Sequence, residues 1–428
     1  MKNAPFAPAL ASLLSVLSVS VHAVDWPQYR GPQANGVTSE KIATAWPAEG
    51  PKALWRVPTP TGFSSFSVAD GRAFTLITRE IEGVLNEMCV ALDANTGKEL
   101  WAQPLGFAKF DRGGDSGAAG NNGGDGPRST PTVESNRVYV LNGQLNLSCL
   151  KAESGQLLWK KDLVREFGAR NISWQNAASP LLDGNLLFVC GGGAGQSLLC
   201  FHKVTGGLVW KAESEKMTHA TPIAATIHGH RQIIFFTQSG LVSVVPGTGA
   251  VLWRHPFPYR TSTAASPVVG GDIVYCSAGY GVGAGAVRVG FDGGRWTVTE
   301  LWRKPNELMN HWSTSVYKDG HLYGLFGFKD YEQVPLKCID LATGAEKWSK
   351  NGFGQGGTIL VDGNVLALAE NGQLVLVEGN PAGYHELART KAVTGKCWNN
   401  AAVANGRVYA RSTKEGVCFD LPAKTAAR

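Results

Sequence analysis

Four segments of this chain repeat one pattern: ALDANTGKELW (91–101), CLKAESGQLLW (149–159), CFHKVTGGLVW (200–210) and CIDLATGAEKW (338–348). Each opens on a small residue or Cys in a short apolar run, reaches a turn that ends in Gly, and places a Trp four residues after that Gly. A fifth segment, SVVPGTGAVLW (243–253), keeps the Gly and the Trp. Such a repeat constrains the fold more than any other feature, because one copy cannot bury its apolar faces alone and must stack on the next.

A second pattern lies between the Trp-ended segments. RSTPTVESNRVYVLNG (128–143), ASPLLDGNLLFVCGG (178–192), ASPVVGGDIVYCSAG (265–279) and STSVYKDGHLYGLFG (313–327) each carry a small-residue stretch, a Gly or Asn turn and an apolar strand. Every unit therefore reads as four strands: A with the Ser/Thr-Pro, B after the turn, C with the Cys or Ala, and D with the Trp. Units fall at about 63–105, 128–163, 176–214, 219–257, 263–305, 311–352 and 356–390, and an eighth from Cys397 to Leu421 has only three strands. KALWRVPTP (52–60), whose Trp55 matches the D-strand Trp, supplies the missing one. The fold expected is all-β, an eight-bladed β-propeller of four-stranded antiparallel blades whose ring is closed by an N-terminal strand that completes the last blade. Trp55, Trp101, Trp159, Trp210, Trp253, Trp302 and Trp348 then read as blade-docking residues, not chemistry. A buried one would cost about 3–5 kcal/mol on truncation to Ala.

Composition agrees: 53 Gly, 13 Trp and only 17% charged residues suit many short strands and turns. The net charge of +6, one unit of it from Lys2, is scattered along the chain, so nucleic acid is not implied. MKNAPFAPALASLLSVLSVSVHA has the basic start, apolar run and small-residue end of a secretory signal peptide. The organisation expected is a signal peptide at 1–23, an N-terminal extension at 24–51, the propeller at 52–421 and a tail at 422–428, with no further membrane span. Of eight Cys, Cys149, Cys200, Cys338 and Cys418 share one repeat position with Ala91 and Ser243, which points to packing; Cys190 and Cys200 flank a Gly-rich hairpin and are the pair to test for a disulfide. GFAKFDRGGDSGAAGNNGGDGP (106–127) is a loop long enough to suggest function or mobility.

The A-x-D-x-x-T-G-K-x-x-W repeat resembles that of pyrroloquinoline-quinone-like (PQQ-like) β-propellers, the superfamily of quinoprotein alcohol dehydrogenases and of BamB-like assembly proteins. DWPQYRGPQANG, GDGPRSTPTV, the GYG of blade five and GKCWNNAAVANGRVYAR are similar to secreted bacterial members of that group. The likeness covers nearly everything after the leader and speaks for fold more than function.

In a propeller the residues leading into each strand A ring one mouth of the channel. Counting back from the Ser/Thr-Pro position gives Phe63, Arg128, Ala177, His219, Ala264, Trp312, Gln355 and Trp398, with Trp174, Gln175, Asn176, His311, Lys396 and Asn399 close by. The candidate ligand-binding set is Arg128, Trp174, Asn176, His219, His311, Trp312, Lys396 and Trp398, which suits a planar, polar or anionic ligand. The alternative is that these side chains only solvate and pack the pore.

The resemblance implies PQQ with calcium as the cofactor to weigh, held by acidic and amide ligands with an Asp as base. Calcium takes several oxygen ligands, carboxylates among them. The strand A lead-ins FSSFS, RSTPT, NAASP, HATPI, TAASP, HWSTS, GGTIL and CWNNA contain no Asp or Glu, and no two Cys are adjacent. Asp330 and Glu332, or Asp111, Asp115 and Asp125, are the loop carboxylates that remain. No cofactor is therefore expected, nor a metal or a catalytic residue. The remaining His lack partners at a telling spacing, and GGGAG (191–195) and GYGVGAG (279–285) lie in hairpin turns with no helix to cradle phosphate.

The function expected is an exported, periplasmic or secreted monomer that serves as a non-catalytic binding or assembly scaffold in the cell envelope, with protein partners or a small polar ligand. A PQQ-dependent oxidoreductase is the first rival, and a carbohydrate-binding propeller with Trp platforms the second.

Overall fold

A computed structural model describes Met1 and residues 25–108, 126–261, 263–329 and 333–423. The rest of the leader, most of the 106–127 loop, and Asp111, Asp115, Asp125, Asp330 and Glu332 lie outside the described residues.

Eight antiparallel sheets form the blades of a propeller, and the only helix among the described residues is the single turn Leu163–Phe167. Blade eight joins Ala402–Ala404, Arg407–Arg411 and Glu415–Asp420 to the N-terminal strand Ala53–Pro58, so the two ends of the chain close the ring in one sheet. The buried Arg411 locks this seam, donating to the carbonyls of Thr59 and Thr61 beside the closing strand and of Leu76 in blade one.

The Gly-to-Trp repeat has one geometry throughout. The small residue of strand C stands directly opposite the Trp of strand D: Ala91 and Trp101, Cys149 and Trp159, Cys200 and Trp210, Ser243 and Trp253, Ala286 and Trp302, Cys338 and Trp348, Cys418 and Trp55. A larger side chain there would push the indole off its neighbour. Six of the seven indoles then cross to the next blade. Trp101 donates to Ala152 O at 2.9 Å, Trp210 to Pro246 O at 2.7 Å and Trp302 to Leu341 O at 2.9 Å, all in the C–D turn of the following blade. The turn Gly beneath the ring has no alternative: Gly249 has φ +73°, and a Cβ on it would lie 2.6 Å from Trp210.

Two departures follow the same logic. Blade five lengthens its C and D strands to Gly283–Asp292 and Arg295–Lys304, which carries the C–D turn far outward. Trp253 of blade four then finds no such carbonyl and donates instead to Gln232 Oε1 in its own blade, at 2.6 Å. In blade eight, strands C and D come from opposite ends of the chain, so no C–D turn exists to receive an indole. Blade seven, which would dock there, has Ala388 opposite Leu376 where its neighbours have Trp.

The Ser/Thr-Pro motif stitches the inner edge. Ser65 N donates to Thr130 Oγ1 at 3.0 Å, Thr130 N to Ser179 Oγ at 2.8 Å, and Ser179 N to Thr221 Oγ1 at 2.9 Å. Ser266 N reaches Thr314 Oγ1 at 2.9 Å, and Asn400 N returns to Ser65 Oγ at 3.2 Å. Blades one, two, three, five and eight thus each pair a buried backbone donor with a neighbour's hydroxyl. All eight Cys are buried and free. Cys190 stands opposite Leu198 and Cys200 opposite Phe188, so the suggested pair sits on a cross-strand diagonal without a bond.

Candidate functional site

Residues 25–38 do not hang outside the ring; they cross its channel. Trp26 bridges to Val68 in blade one, Pro27 O accepts from Val133 N in blade two, and Gly36 O accepts from Leu360 N in blade seven. Val37–Thr38 then adds to Gly357–Val361 as an inner, parallel fifth strand. Midway, the fully buried Arg30 donates to Thr314 O and Ser315 O, each at 2.7 Å, and to Asn35 O at 2.9 Å. Among the described residues no carboxylate pairs with it, and burial pulls its guanidinium down to about 10.

This segment separates two cavities. One, of about 650 Å³, is lined by Gln28, Arg30 and Asn35 and by the Asp183–Arg231 pair. The other, of about 260 Å³, has Tyr29 in its wall and opens at the mouth ringed by the strand A lead-ins.

An aromatic ladder dominates the mouth. Phe63 stacks on Trp398 at 4.9 Å, Trp398 on Trp312 at 4.7 Å, and Trp312 on Phe328 at 5.5 Å. Buried Glu370 fixes it by accepting the Trp398 indole N–H at 2.9 Å and the Gln355 backbone N–H at 3.1 Å. Cations border the ladder: Arg128 lies over Phe63, Lys396 over Trp398, and Lys329 over Phe328 and Tyr280.

The cavity is electrostatically one-sided. Arg128 and Lys329 line it, and no Asp or Glu does among the described residues. Burial, then the charge of Arg128, pushes His219 down to about 4; burial, then His219 and Lys329, takes His311 to about 3. Both rings are neutral at neutral pH, and His219 Nε2–H donates to Ser173 O at 3.0 Å. Behind the wall, Glu87 is wholly buried and raised to about 7 by desolvation, against the Gly143 N–H it accepts and the charge of Arg128.

Of the residues expected at the mouth, Arg128, Trp174, His219, His311, Trp312 and Trp398 line this one cavity. Asn176 does not; its amide donates to Leu141 O and Ala178 O and ties down the strand lead-in. Lys396 sits over Trp398 without lining the cavity, and Gly356 takes the place expected for Gln355. Tyr29, Tyr280 and Lys329 were not anticipated, although Tyr280 is the centre of the GYG noted in blade five. With each other on their faces, Trp312 and Trp398 are not open platforms for a sugar ring. Among the described residues, no three His, Cys, Asp or Glu gather as a metal site, and no helix is long and apolar enough to cross a membrane.

Comparison with known proteins sets this geometry in context. The family model described as outer membrane protein assembly factor BamB matches residues 86–350, well over half the chain. BamB of Moranella endobia (strain PCIT) is 26% identical over 274 residues, a match spanning 60% of this chain and 66%, just under two thirds, of that relative. The crystal structure of BamB from Moraxella catarrhalis superposes with a TM-score of 0.55 at 14% identity, covering 88% of this chain and 99% of the other. Quinohemoprotein alcohol dehydrogenase from Comamonas testosteroni superposes with a TM-score of 0.64 at 12% identity, covering 94% and 81%. At such identities these two structures speak for the fold alone. Matched over most of its repeats and built on the Gly-to-Trp docking strip, the chain belongs to the PQQ-like β-propeller family described as outer membrane protein assembly factor BamB.

Proposed function

We propose that this protein is an exported, non-catalytic scaffold of the cell envelope that docks protein partners of the outer-membrane assembly machinery. The observation that carries this reading is an arc of exposed apolar residues on the outer strands of four consecutive blades: Leu100, Leu157 and Leu158, Leu208 and Val209, and Val251. The equivalent positions in blade six are the charged Glu346 and Lys347. Exposed apolar side chains on one sector of the rim, against the charged pair in blade six, favour a protein interface, and the match to BamB supports a partner in envelope assembly.

Quinone oxidoreduction is less well supported. The mouth offers cations and amides where calcium needs carboxylates, and its ladder is closed on itself, so the residues described do not fit PQQ with calcium.

The test is photo-crosslinking in the native envelope from position 158 or 208, with position 347 as control. Adducts with outer-membrane assembly proteins from the apolar arc alone are expected. Adducts with none of them, or equally from 347, would sink the proposal.

A further inference from the structure

We infer that the larger cavity, across the crossing segment from the aromatic mouth, is a strand-addition site that takes an extended, uncharged stretch of a partner polypeptide. This goes beyond the docking arc and does not depend on it.

The inner edge of each of these blades turns its backbone to the channel at a fixed place. In blades three to six, strands A and B meet at a two-residue turn closed by Asp183 and Leu186, Ile227 and His230, Gly270 and Ile273, and Lys318 and His321. Such a turn closes on a hydrogen-bonded pair, and bonded and non-bonded pairs alternate along an antiparallel ladder. Leu182, Thr226, Val269 and Tyr317, each one residue before the closing pair, therefore direct N–H and C=O away from strand B and toward the channel.

The chain itself shows what such positions bind. The same count in blades one, two and seven gives Val68, Val133 and Leu360. Each donates its N–H to the crossing segment: Val68 to Trp26 O at 2.8 Å, Val133 to Pro27 O at 2.7 Å and Leu360 to Gly36 O at 2.7 Å. In blade seven the contact extends into the paired strand Val37–Thr38. At Leu182, Thr226, Val269 and Tyr317 the equivalent groups meet no partner among the described residues, and all four residues line the one cavity of about 650 Å³. Thr226 is exposed and the other three are half-buried. Open edges of this kind accept a further strand, whose backbone supplies carbonyls and amides in alternation.

The wall selects an uncharged guest. Leu181, Ile223 and Val268 give it apolar surface, and Gln28 and Asn35 give it amides. Its charges are engaged: Arg231 holds Asp183 at 2.6 Å, and Arg30 holds backbone carbonyls. A charged guest side chain would shed water there without a free counter-charge.

The test starts by panning a phage-displayed library of uncharged peptides of about eight residues on the full chain, and the selected peptides are synthesised as probes. Saturable binding is expected, with hydrogen exchange slowed at the Leu182, Thr226, Val269 and Tyr317 amides. Methylating alternate peptide nitrogens should weaken binding about tenfold or more. Thr226→Pro removes the outward N–H at a sheet edge, where Pro is tolerated, and should weaken the peptides about tenfold with the melting temperature unchanged. Thr226→Val keeps that N–H and should bind as the parent does. No peptide binding at about 1 mM, protection that falls on other amides, equal binding of methylated peptides, or an unaffected Thr226→Pro would each overturn the inference. So would self-association of the chain that protects the same four amides.

Discussion

Trp210 in blade three donates its indole N–H to the carbonyl of Pro246 in blade four at 2.7 Å, over a glycine whose missing Cβ is what lets the ring settle. The contact joins two blades by hydrogen bond and burial together, and the two parts can be separated by substitution. Trp210→Phe should lose the bond and cost about 1 kcal/mol. Trp210→Ala should cost about 3–5 kcal/mol. Gly249→Ala should be as harmful as the larger truncation, because it strains the turn and displaces the ring together. Urea unfolding of the three variants checks the order.

Arg411 is buried among carbonyls of the seam. Arg411→Met should leave those acceptors unpaired and lower stability by several kcal/mol, since a stranded buried acceptor costs about 1–3 kcal/mol. Proteolysis near residues 53–60 should accelerate in the variant; unchanged protection there would separate Arg411 from ring closure.

His219 and His311 stay neutral in the folded state to about 4 and 3, whereas in the unfolded chain they take up protons near 6.5. Stability should therefore fall as pH drops from about 6.5 toward 4, by on the order of 3 kcal/mol for each histidine. Burial is the main cause that keeps both rings neutral, and the charges of Arg128 beside His219 and of Lys329 beside His311 add to it. His219→Gln with His311→Gln should flatten the melting temperature across that window.

Glu87 carries the opposite slope. Its folded carboxyl titrates at about 7 against 4.5 for an ordinary one, so its penalty is absent below about 4.5 and complete above about 7. Glu87→Gln should raise stability at pH 8 by on the order of 1–3 kcal/mol and leave it unchanged at pH 4. Paired thermal scans at the two pH values test the sign.

Burial also raises the thiols, Cys338 to about 11 and Cys200 to about 12. Iodoacetamide should label none of the eight in the native protein and all eight after denaturation without reductant. Six labels would restore a disulfide and put Cys190 and Cys200 first in line.

The ring was legible in the sequence because its two stitches are local and periodic. A small residue, a turn Gly and a Trp recur at fixed spacing, and Trp55 fits that register although it lies far from the blade it completes. The mouth was legible only in outline. Counting along strand A locates a residue at the channel without giving its side-chain direction, and so Asn176 turns to backbone carbonyls while its neighbour Ala177 lines the cavity. The crossing segment follows no repeat register at all. Nothing in DWPQYRGPQANG shows that Trp26 and Arg30 will be buried inside a ring of blades, because the partners that anchor them to the blades, Val68 for Trp26 and Thr314 and Ser315 for Arg30, are remote in the chain.

That segment changes what the central hole can be. With Arg30 anchored to blade six and Gly36 to blade seven, the passage is stoppered, and neither solute nor peptide can thread from one face to the other without expelling well-bonded backbone. The segment thus leaves a cavity on either side of itself, the aromatic mouth and the chamber beside Asp183 and Arg231.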